Sequence, residues 1–310
     1  MLKQVIKRLP GFRSLIAQRD FLLKELEKWK YQQEFLPGHY YSPIPDHEDL
    51  INYFDNRIDP SQVKDIGGIE LYWSEQISLL KDLANRFYKD IPFSEHQRTD
   101  NNNRYFYENG FFTYADGIIL YSLLRYLKPK NLIEVGSGFS SSLILDVNEQ
   151  FLDNSINCIF IEPYPDRLIR NLRSADRSRI TIIQEKVQEQ DLELFERLQP
   201  GDILLIDSSH VSKAVSDVNF LVFDVLPRLK SGVWIHFHDI FYPFEYLEEW
   251  VRGGRSWNEA YLLRALLMFN QNFKIKLWGN ALAVRYPEIL QEYMPLCLKN
   301  SGASLWLRKE

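Results

Sequence analysis

Apolar residues follow two rhythms along this chain, and the rhythm changes near residue 112. Before that point the spacing is helical. Leu15, Leu22 and Trp29 lie seven apart with Leu26 on a neighbouring face, predicting a helix within residues 1–35. Leu71, Ile77, Leu80, Leu83 and Phe87 predict a second helix over 70–88. Between them, residues 36–60 carry Pro37, Gly38, Pro43, Pro45 and Pro60, which predict an extended loop. After residue 112 short apolar runs alternate with amphipathic stretches. Strands are expected at 132–135, 158–161, 180–183, 203–206 and 233–237, with closing strands at 273–277 and 305–307. Helices are expected at 114–127, 140–150, 165–173, 215–229 and 257–269. Strands of four to six apolar residues separated by helices predict an α/β fold: a doubly wound, mostly parallel, seven-stranded sheet covered on both faces. The polar run Asp100-Asn-Asn-Asn-Arg104 suggests the boundary. Residues 1–104 then form a helical and loop-rich extension, a lid or oligomerisation element, and 105–310 the α/β domain.

Composition narrows the function. Of 310 residues 45% are apolar and 25% charged, enough for a full core. The net charge of −5 argues against a general nucleic-acid binder. Two cysteines, Cys158 and Cys297, give no disulfide framework and fit a reducing, cytoplasmic setting. No apolar run is long enough for stable membrane insertion. The first thirty residues hold eight Lys/Arg against three Asp/Glu. Such a basic helix could dock on an acidic surface, pair in a homo-oligomer or touch a membrane. Aromatic clusters outside the strands, such as His39-Tyr-Tyr and Phe241-Tyr-Pro-Phe, read as loop packing or as the lining of a substrate pocket.

Ligands of parallel sheets bind beyond the carboxyl ends of the strands, and there the polar residues of this chain collect. After the first strand come Gly136, Ser137, Gly138 and Ser140, with Glu134 just before the turn. Glu162 follows the second strand. Asp207, Ser208, Ser209 and His210 follow the fourth. The fifth carries His236 and His238 and ends at Asp239. A glycine turn lets backbone approach a ligand that a side chain would block, and an acid after the next strand can accept hydrogen bonds from a ribose. These features predict a nucleoside site. A dinucleotide fingerprint would want a third glycine where Ser141 stands, and has no place for Glu134. On strand 5, side-chain alternation puts His236 and His238 on one face. His236, the deeper of the two, is expected to be a satisfied core histidine, and Asp217 to favour a helix N-terminus.

Glu134-Val-Gly-Ser-Gly138 resembles the first motif of class I S-adenosylmethionine-dependent methyltransferases. Further segments, Ile206-Asp-Ser-Ser-His210, His236-Phe-His-Asp-Ile-Phe-Tyr-Pro243 and Trp257-Asn-Glu-Ala260, look like a bacterial subgroup near the small-molecule O-methyltransferases. The likeness covers roughly residues 105–310. It implies that Glu134, Gly136, Ser137, Gly138, Ser140, Glu162 and Asp207 hold S-adenosylmethionine, with adenine near Lys186-Val-Gln188. It implies methyl transfer to a small-molecule acceptor, most simply a hydroxyl. In the catechol-type enzymes, acids at the ends of strands 4 and 5 bind magnesium and a basic side chain three residues on takes the proton. By resemblance Asp207 and Asp239 are candidate ligands of a divalent metal, and Asp207, Asp239 and His210 the catalytic residues. The third ligand of that pattern, an Asn, is here Ile240; His238 or His210 could fill the gap, and imidazole favours zinc, iron or manganese over magnesium. A histidine suits general-base work near neutral pH. Two other readings stay open: a nicotinamide-dependent oxidoreductase on the same strand–turn–helix, and a non-catalytic nucleoside-binding or scaffold protein acting through its basic helix.

Overall fold

The computed structural model describes residues 10–32, 34–98 and 102–310, apart from the side chains of residues 10–13 and 28–32. Trp29's side chain, Asp100 and Asn101, used above, lie outside the described residues. The chain divides into two compact units, residues 1–57 and 58–310.

In the smaller unit the first helix spans Pro10–Gln32, and Leu15, Leu22 and Leu26 on it are exposed. A second helix, His47–Asn56, occupies part of the stretch expected to be loop. Pro43 and Pro45 lie before this helix instead of inside it. Asp46 caps it, its carboxylate accepting from the Glu48 amide at 2.7 Å.

The larger unit begins at Ile58, not near residue 105. Its first long helix, Trp73–Phe87, packs Leu80 and Leu83, both fully buried, into one core with the helix Tyr114–Leu127. Seven strands form one sheet: β1 (Asn131–Val135), β2 (Asn157–Ile161), β3 (Ile180–Ile183), β4 (Ile203–Ile206), β5 (Trp234–Phe237), β6 (Phe273–Trp278) and β7 (Leu305–Lys309). Their order is β3-β2-β1-β4-β5-β7-β6, with β1 to β5 parallel and β7 antiparallel to both neighbours. Side-chain alternation builds two cores on opposite faces. Leu132 and Leu205 enter one; Ile133, Leu204 and Ile206 enter the other. The helix expected over 215–229 is realised in three pieces, Asp217–Asn219, a π-helical stretch Phe220–Val225, and Leu226–Arg228. Pro227 has no N–H to bond back into the preceding turn, which fits a widened ladder there.

Strand order reverses between β1 and β4, and hydrogen bonds tie the strand ends together at that crevice. The Gly136 amide donates to Ile161 O (3.0 Å), Asp207 to Val135 O (2.9 Å) and His238 to Ile206 O (2.9 Å). A buried cation fixes the segment that faces this crevice. Arg104 donates to Asp176 through Nε (2.9 Å) and to Asp146 through Nη1 (2.7 Å). The amides of Arg104 and Tyr105 also bond Asp146 (2.8 and 2.9 Å). Asp146 lies on the helix Phe139–Phe151, so residues 104–112 are tied to the helix that follows β1.

Removing the guanidinium would strand two buried carboxylates. Arg104→Ala is expected to lower unfolding stability by about 3–5 kcal/mol. Denaturant midpoints measure this, and a loss below about 1 kcal/mol would show that the network is not what holds the segment.

Candidate active site

The glycine turn after β1 is forced by a close approach. Gly136 has φ +81°, and a Cβ there would sit 1.9 Å from the carbonyl oxygen of Asp207. Only glycine tolerates both conditions. Gly138 is extended, and a Cβ on it would approach Arg167 Cδ at 3.1 Å. Ser141 accounts for the absent third glycine: its hydroxyl accepts from the Gly138 amide (3.0 Å) and donates to Glu134. Glu134 is fully buried, and burial pushes its pKa up to about 8 against the hydrogen bond from Ser141. One Glu134 oxygen and the Ser137 hydroxyl, both buried, have no hydrogen-bond partner among the described residues. Glu162 accepts from the amides of Ser137 (3.2 Å) and Tyr164 (2.8 Å), which aims its carboxylate across the turn.

Gly136 and Glu162 border a cleft of about 600 Å³ that also takes in Tyr164, Val187, Gln188 and Val215. A smaller cavity of about 200 Å³ runs under the turn between Ser137, Ser140 and Arg167. On the other side opens a cleft of about 690 Å³, lined by His210, His238, Asp239, Trp250, Arg255 and Trp257 among others. Asp207, Ser208 and Ser209 are a wall common to both large clefts. Asp217 holds that wall by accepting from the Ser209 amide (2.8 Å) and hydroxyl (2.6 Å), besides opening its own short helix.

His210 follows the wall and lines the second cleft. It is buried, sits at φ +60°, and its ring packs on Trp257 with centroids 4.3 Å apart. Nδ1 lies 2.9 Å from Glu259 Oε2. Glu259 is itself buried, and its second oxygen accepts from Ser208 (3.0 Å). With Nδ1–H donating to Glu259, Nε2 faces Asp207 (3.4 Å) and Asp239 (3.7 Å). Burial opposes a charge on His210, but the hydrogen bonds to Asp207 and Glu259 outweigh it and push the pKa up to about 10. Burial works against Asp207 as well, yet His238 and then His210 hold it below the usual carboxylate range. Asp239 goes the other way: burial lifts it despite His238 and His210. Asp239 has φ +57°, so the chain leaves the strand there and its side chain escapes the strand's alternation.

Asp207, Asp239 and His210 therefore meet, but the metal expectation for Asp207, Asp239 and His238 is not met. Among the described residues no three His, Cys, Asp or Glu side chains converge to hold a metal ion. The two carboxylates face an imidazole nitrogen, and the position of the missing Asn is taken by Ile240, fully buried in the core. His238 lies 3.6 Å from Asp239, and its Nδ1 has no hydrogen-bond partner among the described residues. This donor set does not fit a divalent metal bound in the catechol-type manner. His236 is buried as expected but not satisfied: neither ring nitrogen has a partner among the described residues, and burial holds its pKa well below the ordinary value. It shares its strand face with His238, both rings meeting Phe112. Glu259, Arg167 and Arg255 are site members that the strand-end reading did not assign. Glu259 reaches His210 from 49 residues away. Its one signal was the polar residue following Trp257-Asn.

The raised His210 pKa has a sign that can be tested. The folded protein keeps a proton that the unfolded chain releases near 6.5, so this stabilisation is complete below that pH. It is lost as pH rises through about 10. Glu259→Gln is expected to lower the His210 pKa and shrink the alkaline loss of stability. Ring-proton NMR titration, with denaturation midpoints at neutral and alkaline pH, checks both; an unmoved titration would contradict the bond.

Residues 133–240 match the family described as methyltransferase domain. An uncharacterized protein of Archaeoglobus fulgidus is 31% identical over 175 residues, covering 54% of this chain and 76% of that protein. Among solved structures, the SAH-bound methyltransferase PaMTH1 of Podospora anserina is 14% identical. It covers 87% of this chain and 99% of its own at a TM-score of 0.39. The structure described as cmcI-D160 with Mg and SAM is 18% identical, covering 62% and 69% at 0.37. At such scores the structural likenesses carry no weight beside the sheet order and the family match. With that match placed across the glycine turn, β2, β4 and β5, the chain belongs to the class I S-adenosylmethionine-dependent methyltransferases.

Proposed function

We propose that this enzyme methylates a hydroxyl of a small molecule, with His210 as general base and no metal bound by Asp207 and Asp239. The observation that carries the reading is the bond from His210 Nδ1 to Glu259 at 2.9 Å, which leaves Nε2 directed at the wall between the two clefts.

Bound S-adenosylmethionine would supply an electrophilic methyl group on a sulfonium. Gly136 and Gly138 would let backbone lie against it, and Glu162 would accept from its ribose. Val187, Gln188 and Val215 would enclose the adenine. Arg167, beside Gly138 and on the small cavity under the turn, suits the carboxylate of the methionine. The acceptor would lie in the second cleft with its hydroxyl at His210 Nε2. Neutral His210 takes the hydroxyl proton there, and Glu259, Asp207 and Asp239 stabilise the imidazolium that results. The aromatic walls of the cleft keep bulk water from the reacting atoms.

A base held near 10 is mostly protonated at neutral pH, so activity should gain as pH rises. In an assay of S-adenosylhomocysteine release, kcat/KM for the acceptor is expected to climb from neutral pH toward about 10. His210→Ala should lower kcat by about 10²–10⁴-fold, with S-adenosylhomocysteine affinity kept within a few-fold, and EDTA should leave the wild-type rate unchanged. Full turnover by His210→Ala would remove it from the mechanism. Loss of the rate with EDTA would overturn the metal-free reading. Tight S-adenosylhomocysteine binding with no turnover across a broad acceptor panel would favour a non-catalytic role.

A further inference from the structure

The second cleft has a charge that neither the cofactor nor the base explains. The short helix Glu248–Arg252 ends in Gly253 and Gly254, whose amides bond Glu249 O and Val251 O at 3.0 Å. Gly254 takes φ +89° and turns the chain back, and the Arg255 amide donates to Trp250 O (3.0 Å). The turn lays the Arg255 guanidinium over two indoles, 4.1 Å from the Trp250 ring centre and 5.1 Å from that of Trp257. Trp257 in turn packs on His210. One indole thus separates the guanidinium from the base, and all four residues line the same cleft.

Stacking engages the faces of a guanidinium and leaves its N–H edge free. Among the described residues no carboxylate lies within ion-pair distance of Arg255. The nearby acids are otherwise placed: Glu248 pairs with Arg252 at 2.7 Å, and Glu249 stands exposed at the rim. Asp207 and Asp239 face His210, and Asp116 accepts from Ala303 N and the Ser304 hydroxyl. A flat cation stacked one indole away from a base, with a free donor edge and an aromatic wall, can orient a ligand through two oxygens of one anionic group.

We propose that the acceptor is a ring compound carrying an anionic group, a carboxylate or a phosphate, which Arg255 binds while a ring hydroxyl faces His210. This rests on the methyl-transfer reading above, in that it takes the second cleft as the acceptor site. Arg255 is then a specificity-determining residue: it discriminates acceptors and does not touch the cofactor.

The test is equilibrium binding to the S-adenosylhomocysteine-saturated protein, read by calorimetry and by quenching of tryptophan fluorescence. Two pairs of probes are used: 3,4-dihydroxybenzoate against its methyl ester, and glucose 6-phosphate against glucose. At least one anionic member is expected to bind about tenfold or more tightly than its neutral partner, and the pair that discriminates identifies carboxylate or phosphate. Arg255→Ala should erase the preference and Arg255→Lys restore part of it, with S-adenosylhomocysteine affinity unchanged in both. Equal binding within each pair, no binding by any of the four, or a preference that survives Arg255→Ala would overturn the proposal. Failure of S-adenosylhomocysteine itself to bind would instead defeat the underlying methyltransferase reading.

Discussion

The backbone of Gly136 passes so close to the Asp207 carbonyl that no side chain fits between them. That contact lies where strand order reverses, between β1 and β4. It brings the turn after β1 against the loop after β4, so one wall, Asp207 to Ser209, serves both large clefts. Two clefts that share a wall can bring two reacting atoms into line, which is most of what methyl transfer needs from a protein. The sheet supplies the rigidity: four parallel strands end at this edge with their amides already bonded to one another.

Charge then decides how the shared wall works. Three carboxylates surround one imidazole, and the buried ring is held protonated more strongly than its burial disfavours it. The same three groups would make the neutral ring an unusually strong base and would stabilise its conjugate acid. The His210 ring lies with one nitrogen toward Asp207 and Asp239 and the other on Glu259, and Ile240, at the position of the catechol-type Asn, is buried in the core. His238 adds to the cluster, while His236, deeper on the same strand face, stays neutral.

The strand ends were legible in the sequence because their signals are local. A strand, a glycine turn and an acid fall within a few residues, and the apolar runs around them are unambiguous. Asp207, His210, Glu162 and the two glycines were found that way, and they do meet in space. Glu259 and Arg255 were not, because each reaches the cleft from a separate segment and its partner is set by packing. Arg255 reaches the cleft only because Gly254 turns it back on Trp250. The boundary expected near residue 105 and the compact units, which divide after Arg57, differ for a related reason. The amphipathic pattern of Trp73–Phe87 reads the same whether that helix stands in an extension or in the main core, and only the burial of Leu80 and Leu83 tells them apart. The prolines before His47–Asn56 concealed a helix because Pro45 and Asp46 are as natural before a helix start as in a loop.

The most direct test of the central claim, that the Gly136 turn is where the cofactor binds, is calorimetric titration with S-adenosylhomocysteine. Wild-type protein and Gly136→Val would be compared, with circular dichroism confirming that both are folded. Micromolar binding by the wild type and none by a folded Gly136→Val is the predicted result. No binding by the wild type, or equal binding by the variant, would contradict the account.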